Sequence, residues 1–264
     1  MTTHDAKIRP FGDLRGEVAV VVGGTSGIGL AIAEALARAG AAIAVGSSNP
    51  EKVQRAERTL SAIDPNAFAR ICEVSERGSL ESFREELEDR VGPASVLVNA
   101  AGILRRQPTL SVTVEEWRKT MDVNVLGTLQ GCQCFGAGMI ERNRGSIINI
   151  ASLNTFVSLT EVAAYAASKA AIGALTKSLA VEWGPKGVRT NAIAPGVLRT
   201  ELNAAMLDDT ERGRELLLRT PMGRFGHPDE IAGTAVYLAS QAASFVNGEI
   251  VVVDGGFLAS GVNS

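Results

Sequence analysis

Short apolar runs alternate with helix-patterned stretches almost from end to end, and this alternation constrains the chain more than any other feature. Residues 18–22, 41–46, 68–74, 95–99, 146–150, 189–193 and 249–253 read as strands, several of them rich in β-branched residues. Helical patterns fill 27–39, a stretch from about Pro50, 79–91, 162–183 and 228–239. The long stretch 113–140 reads as a helix broken up by glycines. Strands that are apolar on both faces and alternate with helices form a parallel sheet covered on both sides. The expectation is an α/β domain, doubly wound, with a seven-stranded parallel sheet. It spans 14–264 behind a flexible arm at 1–13. The connection 197–221 is longer than the others and is expected to fold as a helical flap over a site.

The charge pattern narrows the partners. A net charge of -3 with no Lys/Arg cluster gives no electrostatic reason to expect nucleic acid or an anionic membrane. No apolar run approaches the roughly 20 residues of a membrane span. Residues 1–16 have no apolar signal core, so a cytoplasmic location is expected. Cys72, Cys132 and Cys134 lack metal-ligand spacing and read as small packing residues, and His4 and His227 sit in no ligand or base pattern. No metal site is expected. The acidic run 81–88 reads as the wet face of an amphipathic helix.

The first strand runs directly into Gly23-Gly24-Thr25-Ser26-Gly27-Ile28-Gly29, which opens a helix. A backbone without Cβ can turn tightly and approach a pyrophosphate, and a helix N-terminus offers free N–H groups and a positive dipole end. The setting makes this a nucleotide site in a Rossmann-type domain, although the spacing is G-x-x-x-G-x-G rather than the commoner G-x-G-x-x-G.

A second constellation carries proton chemistry. Tyr165 and Lys169 stand four apart in the helix 162–183 and so share a face. A free tyrosine has a pKa of about 10, and a neighbouring cation brings it toward the working range. Ser152 follows the strand 146–150 at the carboxyl edge, where open α/β sheets bind ligands. Its hydroxyl can hydrogen-bond a substrate carbonyl. Asn124 lies mid-helix, where its propensity is poor, and an amide there can hold a water next to a lysine. Asn99-Ala100-Ala101-Gly102 offers a small-residue edge for a cofactor.

These features, in this order and with Pro195-Gly196 after the sixth strand, resemble the short-chain dehydrogenase/reductase family from about Leu14 to Gly256. The resemblance implies that Ser152 orients the carbonyl and Tyr165 exchanges the proton. It also implies that Lys169 lowers the tyrosine pKa and binds the nicotinamide ribose, and that Asn124 positions a relay water. By the same resemblance Val197 and Thr200 hold the carboxamide, Glu73 and Val74 lie toward adenine, and the chain assembles as a homotetramer. Val22, Ala100 and Glu73 stand where the family usually has Thr, Asn and Asp.

The second strand leads into Gly46-Ser47-Ser48-Asn49, with neither the acid that selects NAD nor the base that selects NADP. Serines can donate to a phosphate and Arg55 is near, so the reading leans slightly to NADP. Gly102-Ile103-Leu104-Arg105-Arg106 and the segment 254–260 resemble the branch containing gluconate 5-dehydrogenase and 2-deoxygluconate or ketodeoxygluconate dehydrogenases. Arg105 and Arg106 are candidates to bind a sugar-acid carboxylate, or are solvated or part of a subunit contact. The expected function is alcohol–ketone interconversion. A 3-oxoacyl-carrier-protein reductase and a catalytically inactive nucleotide-binding regulator are the alternatives. Ser152 lacks the G-x-S-x-G elbow and histidine partner of a hydrolase.

Overall fold

A computed structural model describes residues 10–200 and 203–261. The seven strands are β1 (Val18–Val22), β2 (Ala42–Ser47), β3 (Phe68–Ile71), β4 (Val96–Asn99), β5 (Gly145–Ile150), β6 (Val188–Pro195) and β7 (Ile250–Val253). They form one parallel sheet in the order β3-β2-β1-β4-β5-β6-β7. β1 shows why. Its apolar residues are buried along nearly its whole length, which only a sheet covered on both faces permits.

One cover consists of α1 (Gly27–Arg38), α2 (Pro50–Ser61) and α9 (Asp229–Ala239), which bring Ile32, Leu36, Leu60, Ile231 and Leu238 onto the sheet. The other consists of α3 (Arg77–Arg90), α5 (Gly127–Glu141) and α6 (Ala163–Trp183). There Phe83 packs edge-on against both Phe68 and Phe135, at centroid distances of 6.2 and 6.1 Å. Rings buried in this way stabilise the layer by roughly 1.5–3 kcal/mol each.

The strand order reverses direction between β1 and β4, and that point places the site. The chain leaves both strands at the same edge of the sheet. Gly23 has φ +84°, and a Cβ on it would lie 2.3 Å from the Ala101 amide nitrogen. The turns after β1 and β4 therefore touch, and only glycine allows it.

Two sequence expectations need correction. The stretch 113–140 is not broken by its glycines. α4 (Val114–Met121) passes through a π turn at Asp122–Leu126 into α5, with Asn124 at its centre. The third strand stops at Ile71, so Glu73 and Val74 lie in the loop beyond it. The arm at 1–13 lies outside the described residues up to residue 9, His4 included, while Phe11 stacks on Tyr237 at 6.1 Å. Within 197–221 the chain forms α7 (Ala204–Leu207) and α8 (Glu211–Leu218).

A buried polar chain joins the central strands to α6. Asn99 donates to Asn149 at 2.9 Å, and Asn149 donates to Thr176 at 3.0 Å. Asn149→Ala removes both bonds, so that the buried Asn99 keeps only its contact with Cys132 and the buried Thr176 only its bond to the Ile172 carbonyl. Unfolding in urea is expected to show a loss of about 2–4 kcal/mol, and an unchanged midpoint would contradict the weight given to this chain.

Candidate active site

A groove of about 600 Å³ runs along the carboxyl edge at the switch point. Gly23, Thr25, Ser26, Gly27, Ile28 and Gly29 line one wall, Ser47 and Ser48 close one end, and Ala100, Ala101 and Gly102 lie along it. Glu73, Val74 and Thr200 also face it. The N-cap of α1, Ser26, makes no side-chain bond to the helix, and the first turn holds no acid. Gly27, at φ +53°, has open space where a Cβ would project. Uncapped helix donors beside a glycine-rich groove wall fit the pyrophosphate of a dinucleotide cofactor.

Beyond the groove, α6 carries Tyr165 and Lys169, and the 3₁₀ turn after β5 carries Ser152. Burial pushes the Tyr165 phenol above its ordinary pKa, and its hydrogen bond with Ser152 works the other way. The buried Lys169 ammonium donates to the Ile150 carbonyl at 2.6 Å and lies 5.6 Å from the Tyr165 ring centroid. Burial brings its pKa down to about 8. In the protein alone, Ser152 lowers the phenol pKa, and Lys169 is itself depressed by desolvation.

Asn124 is completely buried, and its amide is committed. Its Oδ1 accepts from the Ile103 N–H at 2.8 Å, and its Nδ2 donates to the Ile103 carbonyl at 3.0 Å and to Ser168 Oγ at 2.9 Å. The side chain clamps the β4 loop to α6. Both of its N–H donors are already used.

Other expected site residues fall elsewhere. Asn99 turns its side chain into the core, toward Cys132 and Asn149, so among 99–102 only the last three face the groove. Alternation along β4 forces this. Pro195 ends β6, and Gly196 and Val197 line a separate hollow of about 180 Å³. Gly196 packs so tightly on Asp254 that a Cβ would lie 2.5 Å from its Cα. Arg105 and Arg106 diverge: Arg105 pairs with Glu116 of α4, and Arg106 with Glu161 at 2.6 Å. The two neighbours are therefore held by different acids in separate segments of the chain.

The sequence reading missed Lys52, which lines the groove beside Ser47, Ser48 and Asn49. Its signal was the cap: Asn49 Oδ1 accepts from the Lys52 N–H at 2.9 Å, fixing the first turn of α2. Arg55, named instead, lines the adjoining hollow with Lys52, Glu34 and Thr200. Among the described residues no cluster of His, Cys, Asp and Glu could hold a metal, and no helix is long and apolar enough to cross a membrane.

This arrangement agrees with the relatives of the chain. A family model described as Enoyl-(Acyl carrier protein) reductase matches residues 22–258. The D-threitol dehydrogenase of Mycolicibacterium smegmatis is 40% identical over 92% of this chain and 94% of its own. The 2-dehydro-3-deoxy-D-gluconate 5-dehydrogenase of Pseudoalteromonas atlantica is 42% identical over 93% and 97%. The crystal structure of a gluconate 5-dehydrogenase from Burkholderia cenocepacia J2315, in complex with NADP and tartrate, superposes with a TM-score of 0.90. It is 39% identical, over 95% of this chain and 98% of that one. The chain belongs to the short-chain dehydrogenase/reductase family. It is an NAD(P)-dependent oxidoreductase that interconverts a secondary alcohol and a ketone.

The depressed Lys169 pKa has a measurable sign. Between pH 8 and 10.5 the unfolded chain binds more proton at this residue than the folded one. Stability attributable to it therefore rises with pH through that window, by roughly 3 kcal/mol in full. Unfolding free energies of the wild type and Lys169→Met, without cofactor, isolate the effect because the raised cysteine and tyrosine groups are common to both. The wild-type value minus the variant value is expected to climb from pH 8 to 10.5. A flat difference would show that Lys169 is not desolvated.

Proposed function

We propose that the chain reduces and oxidises a sugar acid with NADP(H), with Tyr165 as the proton-transfer group. The observation that carries this reading is the buried phenol facing the Ser152 hydroxyl, with the Lys169 ammonium against the same ring. In reduction, Ser152 donates to the carbonyl oxygen and Tyr165 delivers its proton there. In oxidation the phenolate removes it. The bound nicotinamide supplies or accepts the hydride. One N–H of Lys169 goes to Ile150, which leaves two donors for a ribose hydroxyl. Asn124 acts as a positioning residue through Ile103 and Ser168.

The groove supports NADP over NAD. Ser47, Ser48 and Lys52 line its end, and Lys52 has no ion-pair partner among the described residues. A 2′-phosphate there would meet two hydroxyls and an ammonium. NADP in the Burkholderia cenocepacia structure is consistent with this. The sugar-acid reading rests on the gluconate-type relatives. A homotetramer is supported by Leu110, Val114, Trp117 and Leu126, exposed apolar residues along and beside α4. The three cysteines are free and buried, which supports the reducing environment of the cytoplasm.

Two measurements test this. Following NADPH and NADH absorbance against keto sugar acids, oxoacyl thioesters and cyclic ketones, turnover is expected with keto sugar acids. In Tyr165→Phe it is expected to fall by about 10²–10⁴-fold while NADPH still binds. Survival of turnover in that variant would end the proposed mechanism. Lys52→Glu is expected to weaken NADPH about 10–100-fold in a fluorescence titration and leave NADH little changed. Equal loss for both would remove Lys52 from phosphate recognition.

A further inference from the structure

The flap brings a second arginine to the pair formed by Arg106 and Glu161. Arg212 lies on α8, and its Nη1 donates to Thr160 Oγ1 at 3.1 Å. Its Nε is buried and has no hydrogen-bond partner. Arg106 Nε holds Glu161 at 2.6 Å, and the Gln107 N–H donates to the Glu161 carbonyl at 2.8 Å. Three separate segments thus meet at one point: the loop after β4, the turn before α6, and the flap.

The meeting point adjoins the reacting groups. Glu161 lies in the turn two residues before α6, and Tyr165 is the third residue of that helix. Arg212 and Leu216 are also four apart and share a face of α8. Leu216 packs in one cluster with Leu153, the neighbour of Ser152, and with Leu207 and Phe257. The face of α8 that carries Arg212 therefore looks toward the Ser152–Tyr165 edge.

The local charge favours an anion. The charges acting on Arg212 are Arg106, Glu161 and the exposed Glu215, and the like charge of Arg106 is the strongest of them. Burial and Arg106 together lower the Arg212 pKa. Two guanidinium groups act here beside the one carboxylate of Glu161, which pairs with Arg106, and the Arg212 Nε donates to nothing, a balance that favours a second carboxylate. Glu161 also sits at φ +66°, a strained conformation for a residue with a Cβ.

We propose that Arg212, acting with Arg106, binds the carboxylate of the substrate and so makes the flap the element that distinguishes acidic from neutral sugars. This rests on the sugar-acid reading above and names the residue that carries it. No chemistry at the reacting carbon is assigned to Arg212.

The test uses Arg212→Met, with Arg214→Met on the exposed side of the same helix as control. Tartrate, a small hydroxy-dicarboxylate, is titrated into the enzyme–NADPH complex and followed by nicotinamide fluorescence. Steady-state kinetics are then run with 5-keto-D-gluconate and with the neutral ketose L-tagatose. Arg212→Met is expected to weaken tartrate about 10–100-fold and to raise KM for the acid similarly, with kcat largely kept. KM for the neutral ketose, NADPH affinity and the Arg214→Met control are expected to stay unchanged. Arg212→Lys, which keeps the charge but loses the fork, should recover part of the loss.

An equal rise in KM for acid and neutral substrate would make Arg212 a structural part of the flap and overturn the proposal. So would unaltered tartrate affinity, or a wild-type complex that does not bind tartrate. If tartrate binding depends on Arg212 but the wild type shows no preference for the acid ketone, the carboxylate site stands and the sugar-acid reading falls.

Discussion

The Asn124 amide is the interaction on which the geometry of the site depends. It holds both backbone polar groups of Ile103 and donates to Ser168, whose hydroxyl in turn donates to the Tyr165 carbonyl at 2.7 Å. The loop after β4, the long helix pair and α6 are thereby fixed to one another at a single buried side chain. The π turn at Asp122–Leu126 fits this arrangement. π turns are rare and occur mostly at functional sites. Here the turn places a poor helix former at the junction, where its hydrogen bonds offset the cost.

The electrostatics of the catalytic pair follow from the same burial. Lys169 sits in an apolar setting with a carbonyl on one of its donors, so its charged form is disfavoured. Tyr165 is pushed the opposite way for the same reason. Ligand oxygens that accept from the ammonium favour its charged form, and a charged lysine beside the ring favours the phenolate. Binding and proton transfer are coupled through Lys169. The cation effect expected from the Tyr-x-x-x-Lys spacing thus depends on what else the ammonium touches, and four-residue spacing alone does not determine that.

How much of the protein can be read in its sequence depends on the range of the interaction involved. Strands buried on both faces leave continuous apolar runs, so the parallel sheet and its doubly wound cover were legible. The glycine loop was legible because its function is local. What failed was direction and long-range pairing. Asn99 looked like part of the cofactor edge, yet the two-residue alternation of β4 turns it toward Cys132 and Asn149. Arg105 and Arg106 are neighbours in sequence, but their partners, Glu116 on α4 and Glu161 in the turn before α6, send them apart. Lys52 lay hidden behind Arg55 because its position depends on the Asn49 cap, and its place at the groove is a tertiary fact. The flap was legible as a long connection, while the Arg212 contact with Thr160, 52 residues away, left no local sign.

That last contact bears on why overall similarity does not settle the substrate. Relatives named for a neutral polyol and for a keto-deoxy sugar acid match this chain almost equally well, at 40% and 42% identity. The glycine loop and the proposed Ser152–Tyr165–Lys169 group of this chain bear on the hydride and the proton, and neither senses a charge at the far end of a substrate. Discrimination at that end comes from groups that an anion satisfies and a neutral hydroxyl does not, and a buried guanidinium donor is such a group. On α8 the apolar side seats the flap through Leu216 against Leu153, while Arg212 on the same face reaches Thr160. Attachment and recognition therefore rest on different residues of one short helix. Recognition can change there without disturbing the core.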